Sequence, residues 1–258
     1  MFPTRRITTS GGDVFRDEYS IEFDGSDDYV ICGEPMAFHE ATAFTVSCWY
    51  KPAVVDSYRN IVSKYGNGSN NRPFDLSQNS QKLNFIVRGP SDGATNNVAL
   101  SDANFFVVNT WYHIAAVYVG GTSITTYVNG VLHKTNTSSI VADLRDDSGS
   151  EAEFSIGVRK EEHTTPESYG SGNISNVQLW SAALSSNQIK QLYNGRESFD
   201  ARNLSKTSLV TKSNLVGWWR MGDGLENGSG TTIYDMSDNA NNGALSNHTG
   251  VYSGDVPK

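Results

Sequence analysis

Cysteine is nearly absent, with Cys32 and Cys48 the only two in 258 residues, and this excludes a disulfide framework as the source of stability. Both fall in strand-like sequence, so two buried free thiols are expected, with a bridge between neighbouring strands as the alternative. No run of about 18 or more apolar residues occurs, which leaves no candidate membrane-spanning helix. Residues 1–16 lack the apolar stretch that a secretory signal needs. Charge is also scarce: 19% of residues are charged, and 20 Lys and Arg stand against 28 Asp and Glu. The net charge of -8 repels phosphate backbones and anionic lipid, so neither nucleic acid nor membrane insertion is expected. What the chain does have is Gly, Asn, Ser and Thr throughout, which suits short strands joined by many turns.

The apolar pattern is that of strands. Phe44, Val46, Cys48 and Tyr50 share one face of an alternating stretch; Thr45, Ser47 and Trp49 share the other. Residues 111–118 and 123–128 are β-rich runs, and Asn129-Gly130 is the pair favoured in a type I′ hairpin before a return strand at Val131. Further strands are expected over 19–23, 29–32, 61–63, 83–87, 154–158, 174–180 and 215–221. One segment is helical: Ser185 caps it, Gln188 completes a capping box, Ile189 and Leu192 share a face, and Gly195 ends it. Trp218 and Trp219 point to opposite faces, which places their strand in the middle of a sheet. The expected class is all-β, a two-sheet antiparallel jelly-roll sandwich with one short helix. Residues 1–17 read as a polar arm, 18–195 as the sandwich, 196–214 as a linker, and 215–258 as a strand-bearing C-terminal segment whose last residues fray.

Four stretches together resemble the laminin-G-like jelly-roll family of the concanavalin A-like lectin/glucanase superfamily. They are Phe23-Asp24-Gly25-Ser26-Asp27-Asp28-Tyr29-Val30; Phe44-Thr45-Val46-Ser47-Cys48-Trp49; Trp111-Tyr112-His113-Ile114-Ala115-Ala116-Val117-Tyr118 with Tyr127-Val128-Asn129-Gly130; and residues 174–180 followed by 184–195. In most relatives a strand like 215–221 and a loop like 235–243 precede the Phe-Asp-Gly stretch. Here they follow it, so the resemblance implies a circularly permuted chain. Its C-terminal strand completes the same sandwich or inserts into a neighbouring copy.

Because the superfamily contains glucanases, the resemblance implies a carboxylate pair wherever such a chain is catalytic. Glu22, Asp24 and Asp27 are the nearest to one, but Gly25-Ser26 turns the chain and takes Asp27 off the common face, leaving a turn of self-bonding Asp side chains. His113, on a strand, reads as a packed histidine bonded within the sheet. No nucleophile elbow, zinc motif or phosphate loop is present, and no enzymatic activity is expected. Oxygen-rich loops at Asp223, Glu226 and Asn227 and at Asp235, Ser237, Asp238, Asn239 and Asn241 suit Ca²⁺, with Asp223, Asp235 and Asp238 as candidate ligands. Ordinary turn chemistry is the competing explanation. Tyr65, Phe105 and Tyr169 lie near Gly/Asn/Ser-rich loops and are the candidate platform for a glycan. Trp49, Trp111, Trp180, Trp218 and Trp219 read as core.

The resemblance implies an adhesive or structural module. With no signal peptide in residues 1–16, the expected setting is a virion: a tailed-phage capsid, tail or fibre protein whose arm docks on other virion proteins while the sandwich meets host-surface glycans, with room for a homo-oligomer. A stand-alone lectin is the alternative, and a glucan hydrolase stands third.

Overall fold

The computed structural model describes residues 15–65, 72–90, 96–144, 152–159, 168–207, 210–250 and 252–258. Along the chain come β1 (Ile21–Asp24), β2 (Tyr29–Ile31), β3 (Ala43–Pro52), β4 (Tyr58–Tyr65), β5 (Phe74–Asn79), β6 (Lys82–Arg88), β7 (Asn96–Leu100), β8 (Tyr112–Val119), β9 (Ser123–Val128), β10 (Val131–Asn136), β11 (Glu153–Ile156), β12 (Ser171–Trp180), the helix α1 (Ser186–Tyr193), β13 (Leu215–Trp219), β14 (Thr232–Ile233) and β15 (Gly243–Ser246). They form two antiparallel sheets. One runs β1-β12-β3-β8-β9-β10, with β13 also on β12; the other runs β14-β15-β2-β11-β4-β5-β6-β7. The chain is thus a mostly-β sandwich of the jelly-roll kind with one short helix. Among the described residues no helix is long and apolar enough to cross a membrane.

The alternation read from the sequence sets the layers. Phe44, Val46, Cys48 and Tyr50 enter the core between the sheets, where they meet Val62, Leu76, Phe85 and Phe154 from the opposite sheet. Asn129 and Gly130 both take positive φ (49° and 75°), as a type I′ turn requires, and join β9 to β10. Ser185 and Gln188 make the capping box of α1; Asn194, rather than Gly195, is its left-handed C-cap, and Gly195 is left-handed too. Cys32 and Cys48 are buried free thiols.

Three expectations need correction. The strand with the two tryptophans is not central. It lies on the outer side of β12, in line with β1: residues 171–174 of β12 pair with β1, and 177–180 with β13. Both of its faces are buried because a second apolar layer covers the outer face of this sheet. Trp218, Trp180, Val117, Ile189 and Leu192 belong to that layer, and so do Ala201, Leu204 and Val210. Segment 196–214 is therefore packed where it is described, not a bare linker; the residues buried there are the apolar Ala201, Leu204 and Val210. The C-terminus is docked as well. Ser253 bridges to Ser20 on the backbone, and Asp255 accepts from the indole N–H of Trp111 (2.9 Å) and pairs with Lys51. Of the expected arm, residues 1–14 lie outside the described residues. Phe15 packs on Trp218 (5.7 Å between centroids), and Asp17 pairs with Arg220 at 2.8 Å.

Candidate functional site

The turn after β1 gathers more chemistry than its sequence promised. Gly25 sits at φ +82°, where a Cβ would come within 3.0 Å of the Ser171 Cβ, so the turn needs glycine. Asp24 Oδ1 accepts from the N–H groups of Ser26 (2.7 Å) and Asp27 (3.3 Å), and Asp28 Oδ2 accepts from the N–H of Asp24 (3.1 Å). These self-bonded side chains are those of the expected turn. They have an unexpected consequence: the turn folds Asp27 and Asp28 back, so that carboxylate oxygens of Asp24, Asp27 and Asp28 all lie within 4.8 Å of one another. Among the described residues this is the one such acidic group. Burial raises the carboxyl pKa of Asp28, and repulsion from Asp24 and Asp27 adds to the rise.

Two tyrosines stand beside the trio. Tyr169 and Tyr29 pair at 6.4 Å between centroids, and partial burial raises the Tyr169 phenol, with Tyr29 and the Asp27 charge adding to the rise. Arg59 Nη1 donates to the Gly25 carbonyl (2.8 Å) and to that of Tyr169 (3.4 Å), tying turn and aromatic pair together. Asn247 Nδ2 donates to the Asp27 carbonyl (3.0 Å). A cleft of about 390 Å³, lined by Glu22, Asp24, His248, Thr249, Tyr252 and Ser253, opens at the same rim. Carboxylates, aromatic faces and a cleft in one place can hold a hard cation and a sugar ring.

The structure scatters the other candidates. Tyr65 is 3% exposed, beneath the guanidinium groups of Arg72, Arg88 and Arg159, so its ring offers no open platform. Phe105 is half-buried against Phe106 (4.8 Å) and His133 (4.7 Å). Of the three aromatic candidates, Tyr169 is the one that the trio adjoins. Asp223, Asp235 and Asp238 are not brought together as a ligand set. Asp223 accepts from the N–H groups of Glu18 (2.9 Å) and Tyr19 (3.0 Å), and burial raises its carboxyl to about 6. Asp235 accepts from the N–H groups of Trp218 (2.8 Å), Ser237 (2.8 Å) and Asn241 (2.9 Å). Asp238 pairs with Lys212. The chain's own amides thus occupy the oxygens of Asp223 and Asp235. The signal missed at residues 24–28 was three Asp in five positions closed by Tyr29.

His113 is packed, as expected, between Trp49 (5.3 Å) and Tyr193 (6.1 Å). Its side chain is not bonded within the sheet, however: Nδ1 is buried with no hydrogen-bond partner. Burial lowers its pKa to about 3, so the ring is neutral.

A two-sheet jelly roll with a polar, aromatic rim defines a lectin-like sandwich. Residues 24–190, well over half of the chain, match the Laminin_G_3 family model, and the chain belongs to that family of the concanavalin A-like lectin/glucanases superfamily. No curated protein matches the sequence. Among solved structures, one similar chain is a Bacteroides ovatus protein described as carbohydrate-binding: 20% identity, TM-score 0.63, covering 90% of this chain and 59% of that one. Another is the CBM40 of the Ruminococcus gnavus IT-sialidase bound to α2,3-sialyllactose, at 16% identity and TM-score 0.55, covering 69% of this chain and 97% of that one. A third is the heptameric SAP-like pentraxin of Limulus polyphemus, at 19% identity and TM-score 0.54, covering 69% and 82%. At these identities the likeness is one of fold. β13 to β15 lie outside the family match.

Proposed function

We propose that the protein is a non-enzymatic carbohydrate-binding module whose ligand site is the rim formed by Asp24, Asp27, Asp28, Tyr29 and Tyr169. The observation that carries this reading is the convergence of three carboxylates with a tyrosine pair beside a cleft. The Bacteroides and Ruminococcus neighbours, one described as carbohydrate-binding and the other bound to sialyllactose, support it. A glycan array on the intact chain tests it. Binding to a selective set of glycans is expected, and Tyr169→Ala should weaken it about tenfold or more while leaving the fold intact, since a stacked ring contributes roughly 1–2 kcal/mol. An array without any hit removes the reading. Polysaccharide hydrolysis that Asp24→Asn abolishes would reassign the trio to catalysis.

Calcium belongs to this proposal as the ion that three clustered carboxylates suit, because it takes oxygen ligands in flexible geometry. The residues for it are Asp24, Asp27 and Asp28 rather than the C-terminal aspartates. Added Ca²⁺ is expected to raise the melting temperature, and Asp28→Asn to abolish the rise; an unchanged melt in calcium and in chelator removes the ion. Without a cation, the raised Asp28 carboxyl works against stability as pH climbs from the unfolded value through the folded one, and protonation on the acid side relieves it.

The setting we carry forward is a virion surface, with residues 1–14 as the part of the arm assigned to meeting other virion proteins. The family resemblance supports it. Co-purification with assembled particles is its test, and a chain absent from particles would leave the stand-alone lectin.

A further inference from the structure

The cleft beside the aspartate turn has a lining that sets which sugars it can hold. β1 alternates: Ile21 and Phe23 enter the core, so Glu22 and Asp24 both face outward and line the cleft. Neither carboxylate makes an ion pair among the described residues. Asp24 uses Oδ1 for its own turn, and no donor among the described residues reaches its Oδ2. His248 and Tyr252 line the cleft too, with their rings 6.2 Å apart between centroids. His248 Nδ1 accepts from the Gly250 N–H (3.1 Å), so the ring is the neutral tautomer with its proton on Nε2. Tyr252 spends its hydroxyl on the Gly230 carbonyl (2.9 Å). Thr249 and Ser253 add hydroxyl groups, and no Lys or Arg is among the described lining residues. Two carboxylates, two rings and two hydroxyls thus meet in one cleft with no cation among them.

At about 390 Å³ the cleft has the size of a small-ligand site. Its charge selects among small ligands. An acidic sugar is repelled by Glu22 and Asp24, and by Asp27 and Asp28 beside them. A neutral sugar can use the rings and hydroxyls, but it leaves two like charges in a confined place without a counter-charge. An ammonium group supplies one. Its three N–H donors suit carboxylate oxygens, and such charge-assisted bonds are the strong ones. The net charge of -8 draws cations toward the chain. Calcium held by the trio does not reverse this preference, because the charges of Glu22, Asp24, Asp27 and Asp28 together outweigh those of one Ca²⁺.

We propose that the cleft selects amino sugars whose amine is free and protonated, such as the glucosamine units of a deacetylated glycan, with Glu22 and Asp24 receiving the ammonium group. That the cation is borne by a sugar rests on the reading above; that the cleft takes an ammonium group rests on its own lining.

The test is calorimetric titration of the intact chain, in mildly acidic buffer containing calcium, with the glucosamine tetramer, its N-acetylated form, cellotetraose and spermidine. The glucosamine tetramer should bind about tenfold tighter than either neutral sugar or better, because a hydrogen bond between charged groups is worth that much. It should also bind tighter than spermidine, which carries charge without a sugar ring. Glu22→Gln should remove most of the margin, and high salt should narrow it. Glu22 is exposed, so the variant is expected to fold, and its melting curve checks this. Should it fail to fold, Glu22→Thr, a better strand former, is judged in the same way. The proposal is overturned if a neutral tetrasaccharide or spermidine binds as tightly as the glucosamine tetramer, or if the folded variant keeps the margin. Failure of the rim reading looks different: none of the three tetrasaccharides then binds, whereas failure of this inference alone leaves a neutral tetrasaccharide bound and its binding weakened by Tyr169→Ala.

Discussion

Deleting residues 212–258 is expected to leave an insoluble or molten protein. The deletion removes β13 from β12, β15 from β2 and the Ser20–Ser253 bridge, so each sheet loses paired backbone. It also removes Trp218 and Trp219, both fully buried. Trp219 spans the sandwich: it stands on one sheet, stacks on Phe154 of the other at 5.1 Å and 24°, and donates its indole N–H to the Asn241 carbonyl at 2.7 Å. Trp218 seals the outer layer, with its indole N–H on Asn176 Oδ1 at 3.1 Å. A single Trp219→Ala change is expected to cost about 3–5 kcal/mol. That is a large part of the roughly 5–15 kcal/mol a folded domain has in total. Urea unfolding of the variant measures it. A loss under about 1 kcal/mol would mean that the ring is not a keystone of the core. A truncated chain that stays soluble, monomeric and cooperative would mean that residues 15–211 fold without the closing strands.

The second large effect is in pH. His113 is neutral and fully buried, with its pKa lowered to about 3. In the unfolded chain it titrates near 6.5. Below that pH the unfolded state takes up a proton that the folded state refuses. The stabilisation is complete above about 6.5 and is lost as pH falls toward 3. At pH 5 the loss from this one residue is about 2 kcal/mol, and it grows to several kcal/mol near pH 3. His113→Phe should remove this component, so the variant gains on the wild type as the solution is acidified. At pH 7 it should fold with similar stability, because Nδ1 has no partner to lose. Unfolding free energies of both proteins across pH 4–8 give the difference directly. Parallel curves would show that the ring is protonated inside the folded protein.

Much of the fold was legible because it is written in short-range patterns. Alternation at residues 44–50 named the faces of β3, Asn129-Gly130 named the hairpin, and Ser185 with Gln188 named the start of α1. Each rule needs only neighbours along the chain. The errors share a different origin. Nothing local says that Ala201, Leu204 and Val210, isolated in a polar stretch, meet a sheet face whose residues lie far off in sequence. The same hidden layer explains why an outer strand with two apolar faces was read as central. At the site, the sequence pointed to aspartates in oxygen-rich loops, and turn chemistry decided among them. Asp223 spends its oxygens on the far-off amides of Glu18 and Tyr19, and Asp235 on those of Trp218 and of its own loop, whereas Asp24, Asp27 and Asp28 are drawn together by amides of their own turn. Tyr65 looked open beside a Gly/Asn loop, yet arginines from three separate places in the chain cover it.

The sequence by itself determined the strands, their inward faces, the hairpin and the helix cap, because side-chain alternation and backbone preference act over a few residues. The tertiary structure alone decided where β13 lies, that Asp223 is spent on the amides of Glu18 and Tyr19, and that Tyr169 stands beside the aspartate turn. Those are contacts between residues up to two hundred positions apart, and it is packing that brings them together.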